Sequence, residues 1–199
     1  MSLTTIILAA GKSKRMNSLK TKLLFKILGK PIIEHVIDTA SSISSKNIIC
    51  VLNKKDDYGE ILENKKIITT YQHKPQGTAD AVQIALKAKS KEDKNLVLIL
   101  CGDVPFISKN TLSTIIKKTK NNDMCLVTAN LENPFGYGRI IRLKQKITEI
   151  IEEKDANQEI KKINEINTGI ICIKEGVLRK YLQSVKNKNK QKEFYLTDL

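Results

Sequence analysis

Short, continuous apolar runs alternate along this chain with longer segments of helical periodicity, and this alternation constrains the fold more than any other feature. The runs include TTIIL (4–8), NIICVLN (47–53) and LVLILC (96–101), and between the last two lies the amphipathic segment TADAVQIALKAK (78–89). Strands that are apolar on both faces and separated by helices indicate a parallel sheet covered on both sides. The ligand crevice of such a sheet lies at the carboxyl ends of its strands.

The pattern changes after about residue 130. GYGRIIRL (136–143) and KITEIIEE (146–153) predict two strands joined by a short turn, which favours an antiparallel addition to the sheet. Thr78 and Ser108 are placed to cap the helices that follow them. We therefore expect one three-layer, Rossmann-like α/β domain with a mixed, mostly parallel sheet.

Composition excludes several classes of protein. The 199 residues suit one domain, and no apolar run approaches the ~20 residues that span a bilayer. The amino terminus has no basic flank before its short apolar stretch, so we expect no signal peptide and a cytoplasmic protein. The four cysteines form no CxxC pair, which predicts buried free thiols in a reducing compartment.

A net charge of +14 invites the hypothesis of nucleic-acid binding. However, 31 of the 35 basic residues are lysines spread along the whole chain, and aromatic residues make up only 5%. That mixture favours a general lysine bias over a surface that binds phosphates and stacks bases. We therefore expect no nucleic-acid partner.

The segment LAAGKSKRM (8–16) directly follows the first predicted strand. Gly11 and its small neighbours allow backbone N–H groups to approach a phosphate, and Lys12 and Arg15 add positive charge. The letters GKS match the end of a P-loop, but Ile6 stands where that motif needs another glycine, and no GxGxxG is present. The segment is a candidate phosphate-binding loop of another kind.

Further candidate segments follow later strands. Asp103, in CGDVPF (101–106), ends the strongest predicted strand, where it is either a Mg²⁺ ligand or a turn-forming residue. Gln72, in QHKPQGTADA (72–81), offers an amide to a base edge, and a helix start follows it. NPFGYGRI (133–140) is by itself a turn pattern.

Taken in order, these segments resemble the nucleotidyltransferases that make nucleotide-sugars. The closest resemblance is to the uridylyltransferase domain of the bacterial bifunctional N-acetylglucosamine-1-phosphate uridylyltransferase/glucosamine-1-phosphate acetyltransferase. LAAGKSKRM resembles its LAAGxGxRM motif, with Ser13 in place of glycine, and QGTADA, GDVPFI, GYGRI, EEKDA, EINTGI and YLTD resemble further blocks. Thr21 and Cys101 depart from the family, which commonly has proline and tyrosine at these positions.

The resemblance implies roles for individual residues. The catalytic group would be Arg15, Lys22 and Asp103, with Mg²⁺ on Asp103. The nucleotide contacts would be Leu8, Ala9, Gly11, Lys22, Gln72, Gly77 and Thr78. The contacts to the acetylated sugar phosphate would be Gly138, Glu152, Asn167, Tyr195 and Thr197.

The implied reaction transfers uridylyl from UTP to N-acetylglucosamine 1-phosphate, a step in cell-envelope precursor synthesis. Residues 1–199 would form one nucleotidyltransferase domain, with a nucleotide-binding half at about 1–110 and a sugar-binding half at about 111–199. In the family, a second metal ligand (an asparagine) and a hexapeptide-repeat acetyltransferase domain follow the YLTD segment, and this sequence contains neither. We therefore expect no acetyltransferase activity, no membrane partner, and a monomer or weak dimer.

Two alternative functions are also compatible with the sequence. One is a related nucleotidyltransferase with a different sugar-phosphate or alditol-phosphate acceptor. The other is a non-catalytic module that binds nucleotides or RNA, for which binding would weaken steeply with salt.

Overall fold

A mixed β-sheet runs through the molecule between two layers of helices. The computed structural model describes residues 1–11, 21–43, 45–63, 65, 67–91 and 95–199. The strands are β1 (Ser2–Ala9), β2 (Lys26–Ile27), β3 (Lys30–Pro31), β4 (Asn47–Asn53), β5 (Ile68–Gln72), β6 (Asn95–Cys101), β7 (Met124–Asn130), β8 (Arg139–Leu143), β9 (Lys146–Ile151) and β10 (Glu165–Lys174). The helices are α1 (Ile32–Ser42), α2 (Glu60–Glu63), α3 (Thr78–Lys87), α4 (Lys109–Thr119), α5 (Gln158–Lys161) and α6 (Glu175–Leu182).

The sheet has a parallel part and an antiparallel part. Its order is β5-β4-β1-β6-β10-β8-β9, and β7 also pairs with β10. Strands β5, β4, β1 and β6 are mutually parallel, whereas β10 is antiparallel to β6, β7 and β8. The β2–β3 pair forms a separate small hairpin. The predicted mixed three-layer α/β fold and the antiparallel β8–β9 hairpin are confirmed.

Both faces of the sheet are buried, as the apolar runs predict. Successive residues of a strand point to opposite faces, so Ile7 joins the core under α1 and α4, while Ile6 joins the core under α3 and α6. Both side chains have no exposed surface. All four cysteines lie on strands as free thiols. Cys50 and Cys172 are buried as predicted, whereas Cys101 and Cys125 are only partly buried. Burial raises the pKa of Cys50 to about 12.

The two predicted helix caps have different outcomes. Ser108 caps α4 as expected, because its Oγ accepts a hydrogen bond of 3.0 Å from the Thr111 amide. The prediction that Thr78 caps α3 is wrong. Gly77 takes the cap position with φ of 119°, and Thr78 is the first helical residue. The Thr78 Oγ1 instead accepts a hydrogen bond of 2.9 Å from the Leu196 amide.

A charged cluster lies buried at the edge of the sheet where the parallel strand β6 begins and the antiparallel strand β10 ends. The Glu175 carboxylate has no exposed surface and accepts hydrogen bonds from Lys89 Nζ (2.8 Å), Asn95 Nδ2 (2.7 Å) and Arg179 Nε (2.8 Å). These contacts join α6 to β6 and to the end of α3.

Of the helices in the described ranges, none has the length and apolar character that a bilayer span requires.

Candidate active site

The predicted phosphate loop and Asp103 lie at the same edge of the sheet. Strands β1 and β6 are adjacent and parallel, with Leu8 opposite Cys101. The Gly102 amide donates a hydrogen bond of 3.0 Å to the Leu8 carbonyl oxygen, which joins the two strand ends. Gly11, two residues after β1, is exposed and leaves open space where a Cβ would stand. Arg15, like Lys12, lies outside the described residues.

Lys22 and Asp103 form an ion pair across this edge. Lys22 begins a short 3₁₀ turn, and its Nζ donates a hydrogen bond to Asp103 Oδ2. The two side chains are 33% and 38% exposed, so both groups remain accessible to a ligand. The structure thus places one cation and one carboxylate, separated by 81 positions in the sequence, side by side at the carboxyl ends of β1 and β6.

Gln72 ends β5 at the same edge of the sheet. Its side chain is almost fully buried, with 4% exposed. Its Nε2 donates hydrogen bonds to the Gly77 carbonyl oxygen (3.1 Å) and to Asp80 Oδ2 (2.6 Å). Gln72 is a predicted contact to the base, whereas Asp80 was not predicted from the sequence, although it lies in the QGTADA block.

The segment 193–199 supplies backbone hydrogen-bond partners at the start of α3. The Ala79 amide donates to the Phe194 carbonyl oxygen (3.0 Å), and the Phe194 amide donates to the Gln76 carbonyl oxygen (2.7 Å). One backbone donor at this helix start is therefore already used within the protein. Gly77 and Thr78, both predicted nucleotide contacts, lie directly under this segment.

Four of the five predicted sugar contacts come together in a second group. The Asn167 amide donates to the Gly138 carbonyl oxygen (2.9 Å), and Thr197 Oγ1 donates to Glu152 Oε1 (3.0 Å). A Cβ at Gly138 would stand 3.2 Å from Glu152 Oε1, so glycine allows the close approach. These residues come from four separate segments of the sequence.

Tyr195 lies beside this group. It is 8% exposed, and its hydroxyl has no hydrogen-bond partner among the described residues. Burial and the nearby charges of Asp155 and Glu152 raise its pKa. Burial, together with the charges of Asp155 and Asp198, also raises the pKa of Glu152, against the lowering effect of the Thr197 hydrogen bond.

The Lys22–Asp103 pair and the group of predicted sugar contacts are connected through β6 and β10. Gly169 lies against Cys101, and a Cβ at Gly169 would stand 2.7 Å from the Cys101 Sγ. Gly169 has φ of 78°, and β10 shifts register between Asn167 and Ile171. This irregularity lies on β10 between its pairing with β6 and the predicted sugar contact Asn167.

A buried ion pair, which was not predicted from the sequence, holds the glycine-rich turn in place. Arg139 is 2% exposed, and its guanidinium donates to Glu153 Oε2 (2.8 Å) and to the Tyr137 carbonyl oxygen. Glu153 Oε2 also accepts a hydrogen bond of 3.2 Å from the Gly136 amide. The only sequence signal was the presence of both residues in the GYGRI and EEKDA blocks.

The chain's similarity to known proteins agrees with this geometry. Residues 5–166 match the model of the MobA-like NTP transferase domain family. Over 201 aligned positions the chain is 45% identical to the bifunctional protein GlmU of Francisella tularensis subsp. novicida (strain U112) and to that of subsp. tularensis (strain SCHU S4 / Schu 4). These alignments cover 100% of the chain and 44% of each relative, so the chain spans less than half the length of these curated relatives.

Solved structures show the same fold at low sequence identity. A UDP-glucose pyrophosphorylase complexed with UDP-glucose superposes with a TM-score of 0.77 at 17% identity, covering 100% of this chain and 85% of that one. A putative glucose-1-phosphate thymidylyltransferase from Bacillus anthracis, in complex with a sucrose, superposes with a TM-score of 0.75 at 18% identity, covering 99% and 80%. The chain belongs to the MobA-like NTP transferase domain family and is a nucleotidyltransferase.

Proposed function

We propose that the chain transfers uridylyl from UTP to N-acetylglucosamine 1-phosphate, giving UDP-N-acetylglucosamine and pyrophosphate. The observation that carries the proposal is the accessible Lys22–Asp103 ion pair at the carboxyl edge of the parallel strands. The 45% identity to two bifunctional GlmU proteins supports the choice of substrates. The group formed by Gly138, Glu152, Asn167 and Thr197 supports a separate sugar-binding region.

The proposed chemistry needs no side-chain nucleophile. A phosphate oxygen of the sugar 1-phosphate attacks the α-phosphorus of UTP, a new P–O bond forms, and the bond from the α-phosphorus to the bridging oxygen breaks to release pyrophosphate. Such phosphoryl transfers depend mainly on alignment of the reactants and neutralisation of charge. Lys22 supplies a positive charge, and its pairing with Asp103 keeps the ammonium at the strand edge before substrate binds.

Asp103 is the residue that would hold a divalent cation. Mg²⁺ is commonly bound by one or two carboxylates together with substrate phosphates, and a partly exposed carboxylate on this edge fits that requirement. Within the described ranges no cluster of three or more metal-ligating side chains occurs, so substrate oxygens would complete the coordination. When bound, Mg²⁺ would neutralise charge on the phosphates.

The direct test is pyrophosphate release from UTP plus N-acetylglucosamine 1-phosphate, with and without Mg²⁺. Wild type should need both substrates and the metal. Asp103→Ala and Lys22→Ala should each lower kcat/KM by about a hundredfold or more, while the free energy of unfolding changes by less than about 1 kcal/mol, since exposed ion pairs stabilise folds little. Lys162→Ala is the matched control, because it breaks the exposed Lys162–Glu159 pair away from the site.

Three outcomes would count against the proposal. Full activity of Asp103→Ala would remove Asp103 from the mechanism. Release with another sugar phosphate or an alditol phosphate, but not with the acetylated amino-sugar, would identify a different acceptor. Steeply salt-dependent RNA binding without any turnover would favour the non-catalytic module.

A further inference from the structure

The carboxamide of Gln72 is fixed in one orientation by two neighbours. Its Nε2 lies 3.1 Å from the Gly77 carbonyl oxygen and 2.6 Å from Asp80 Oδ2. A carbonyl and a carboxylate only accept hydrogen bonds, so the end of the amide that faces them must be the NH₂ group. The chemistry of the neighbours therefore decides the amide orientation, which geometry alone leaves ambiguous.

The opposite end of the amide is the acceptor Oε1, which has no hydrogen-bond donor within the described part of the chain. Gln72 ends β5 and is 4% exposed, and the hydrogen bonds of its side chain within the described part of the chain run from Nε2. Its Oε1 does not belong to the fully buried atoms that lack a partner, so this oxygen reaches the surface. An acceptor oxygen that reaches the surface can accept a hydrogen bond from a ligand donor. A nucleobase that places an N–H group opposite Oε1 would supply one.

We propose that Asp80 is a specificity-determining residue that makes this site select uracil over cytosine. The inference rests on the proposed function, in which Gln72 contacts the base. Uracil has a ring N3–H that can donate to Oε1, whereas the N3 of cytosine carries a lone pair that would face the oxygen and be repelled. A site built to bond a specific N–H rejects the analogue that lacks it, because its own polar atom is left unpaired.

Of the two neighbours, Asp80 has the larger effect on the orientation of the Gln72 carboxamide. Its hydrogen bond from Gln72 is the shorter one, and its acceptor is a carboxylate, which forms stronger hydrogen bonds than a neutral carbonyl. Without Asp80, only the Gly77 carbonyl would oppose rotation of the amide. In the rotated form the NH₂ group would face the base and suit the N3 of cytosine.

The test compares UTP with CTP, which differ in the base edge but not in size or phosphate charge. The binding constants of the two nucleotides are measured by titration calorimetry with Mg²⁺ and without any sugar phosphate. Asp80→Ala should lower the UTP-to-CTP affinity ratio by about tenfold. Asp80→Asn should keep that ratio within about threefold, because its Oδ1 can still accept from Gln72 Nε2. Gln83→Ala, an exposed position on the same helix, should leave the ratio unchanged.

A structural role alone would give a different result. An acidic residue in the first turn also stabilises the helix, so Asp80→Ala can lower the melting temperature, but a loss of stability does not change base preference. If Asp80→Ala does not fold, Asp80→Lys tests the same point, because an ammonium cannot accept from Nε2 and position 80 is partly exposed. An unchanged ratio in a folded Asp80→Ala or Asp80→Lys protein overturns the proposal.

Failure of this inference is distinguishable from failure of the proposed function. The binding measurement contains no acceptor, so a wrong sugar phosphate does not affect it. A wild-type protein that binds UTP and CTP equally overturns the role of Asp80, even if it turns over. A wild-type protein that prefers UTP but releases no pyrophosphate with the amino-sugar phosphate leaves Asp80 supported and contradicts the proposed acceptor.

Discussion

Phe194 lies so close to Gly77 that a Cβ at position 77 would stand 2.3 Å from the Phe194 carbonyl oxygen. Phe194 also exchanges backbone hydrogen bonds with Gln76 and Ala79, and three residues later Thr197 bonds the Glu152 carboxylate. The segment 193–199 therefore connects the predicted uracil contacts to the predicted sugar contacts. Five of the predicted site residues lie within this segment or in contact with it.

Gly77→Ala should be strongly destabilising. Its φ of 119° is unfavourable for any residue with a side chain, and the added Cβ would clash with backbone atoms that cannot rotate away. We expect a loss of about 3 kcal/mol or more in the free energy of unfolding, measured by urea denaturation. Gly176→Ala is the matched control, since a Cβ there meets open space within α6, and it should stabilise by about 0.4–1 kcal/mol. Equal stability of the two variants would contradict the close packing of Phe194.

Loss of the buried ion pair should weaken sugar binding selectively. Arg139→Met removes the hydrogen bonds to Glu153 and to the Tyr137 carbonyl oxygen, which should cost about 3 kcal/mol of stability. Because the pair holds the turn that carries Gly138, KM for the sugar phosphate should rise by about tenfold, while KM for UTP stays within about twofold. An equal rise in both KM values would indicate general loosening of the fold.

The stability contributed by Glu153 should disappear in acid. Burial alone would raise the pKa of Glu153, but the Arg139 guanidinium and the Gly136 amide lower it below the ordinary value of 4.5. A carboxylate with a lowered folded pKa stabilises the protein above its unfolded pKa, and that contribution is lost as pH falls through the folded pKa. Thermal melts should therefore show Glu153→Gln to be less stable than wild type at pH 7, with the difference shrinking below pH 4.5.

Glu152→Gln should weaken binding of the sugar phosphate without lowering the stability of the fold. The lost carboxylate should raise KM for the sugar phosphate by about ten- to a hundredfold. Because burial raises the folded pKa of Glu152 above 4.5, ionisation of this group destabilises the folded protein as pH rises through that window. The variant should therefore gain melting temperature relative to wild type as pH rises from 4 to 8. Glu149→Gln, exposed on β9, should leave KM unchanged.

Glu175→Ala should strongly destabilise the folded protein without changing its kcat/KM. It would leave Lys89 and Arg179 without their shared buried carboxylate, at an expected cost of about 3–5 kcal/mol. The cluster lies where β6 begins and β10 ends, so kcat/KM at a low permissive temperature should stay within about twofold of wild type. Glu159→Ala, which breaks only an exposed pair, should cost less than about 0.5 kcal/mol. A large loss of kcat/KM in folded Glu175→Ala would connect this cluster to the site.

Much of the site could be located from local patterns. Apolar runs predict the strands, and the carboxyl ends of parallel strands meet at one edge of the sheet, where the sequence also predicts the ligand crevice. The loop that contains Gly11 and the turn that contains Asp103 follow two such strands, β1 and β6, which are adjacent and parallel. The Ser108 cap followed from a side chain that bonds within its own turn. The Thr78 cap did not, because a backbone amide 118 positions away uses the same hydroxyl.

The sequence by itself determined the fold class, the main strands of the sheet and the family, since these depend on periodicity and on motifs that are contiguous in the chain. The tertiary structure alone decided which groups meet. The contacts of Lys22 with Asp103, Arg139 with Glu153, and Gly77 with Phe194 join residues that are 81, 14 and 117 positions apart. Pairings of this kind depend on the order of the strands and on how closely two backbones can approach, and local sequence patterns predict neither of these.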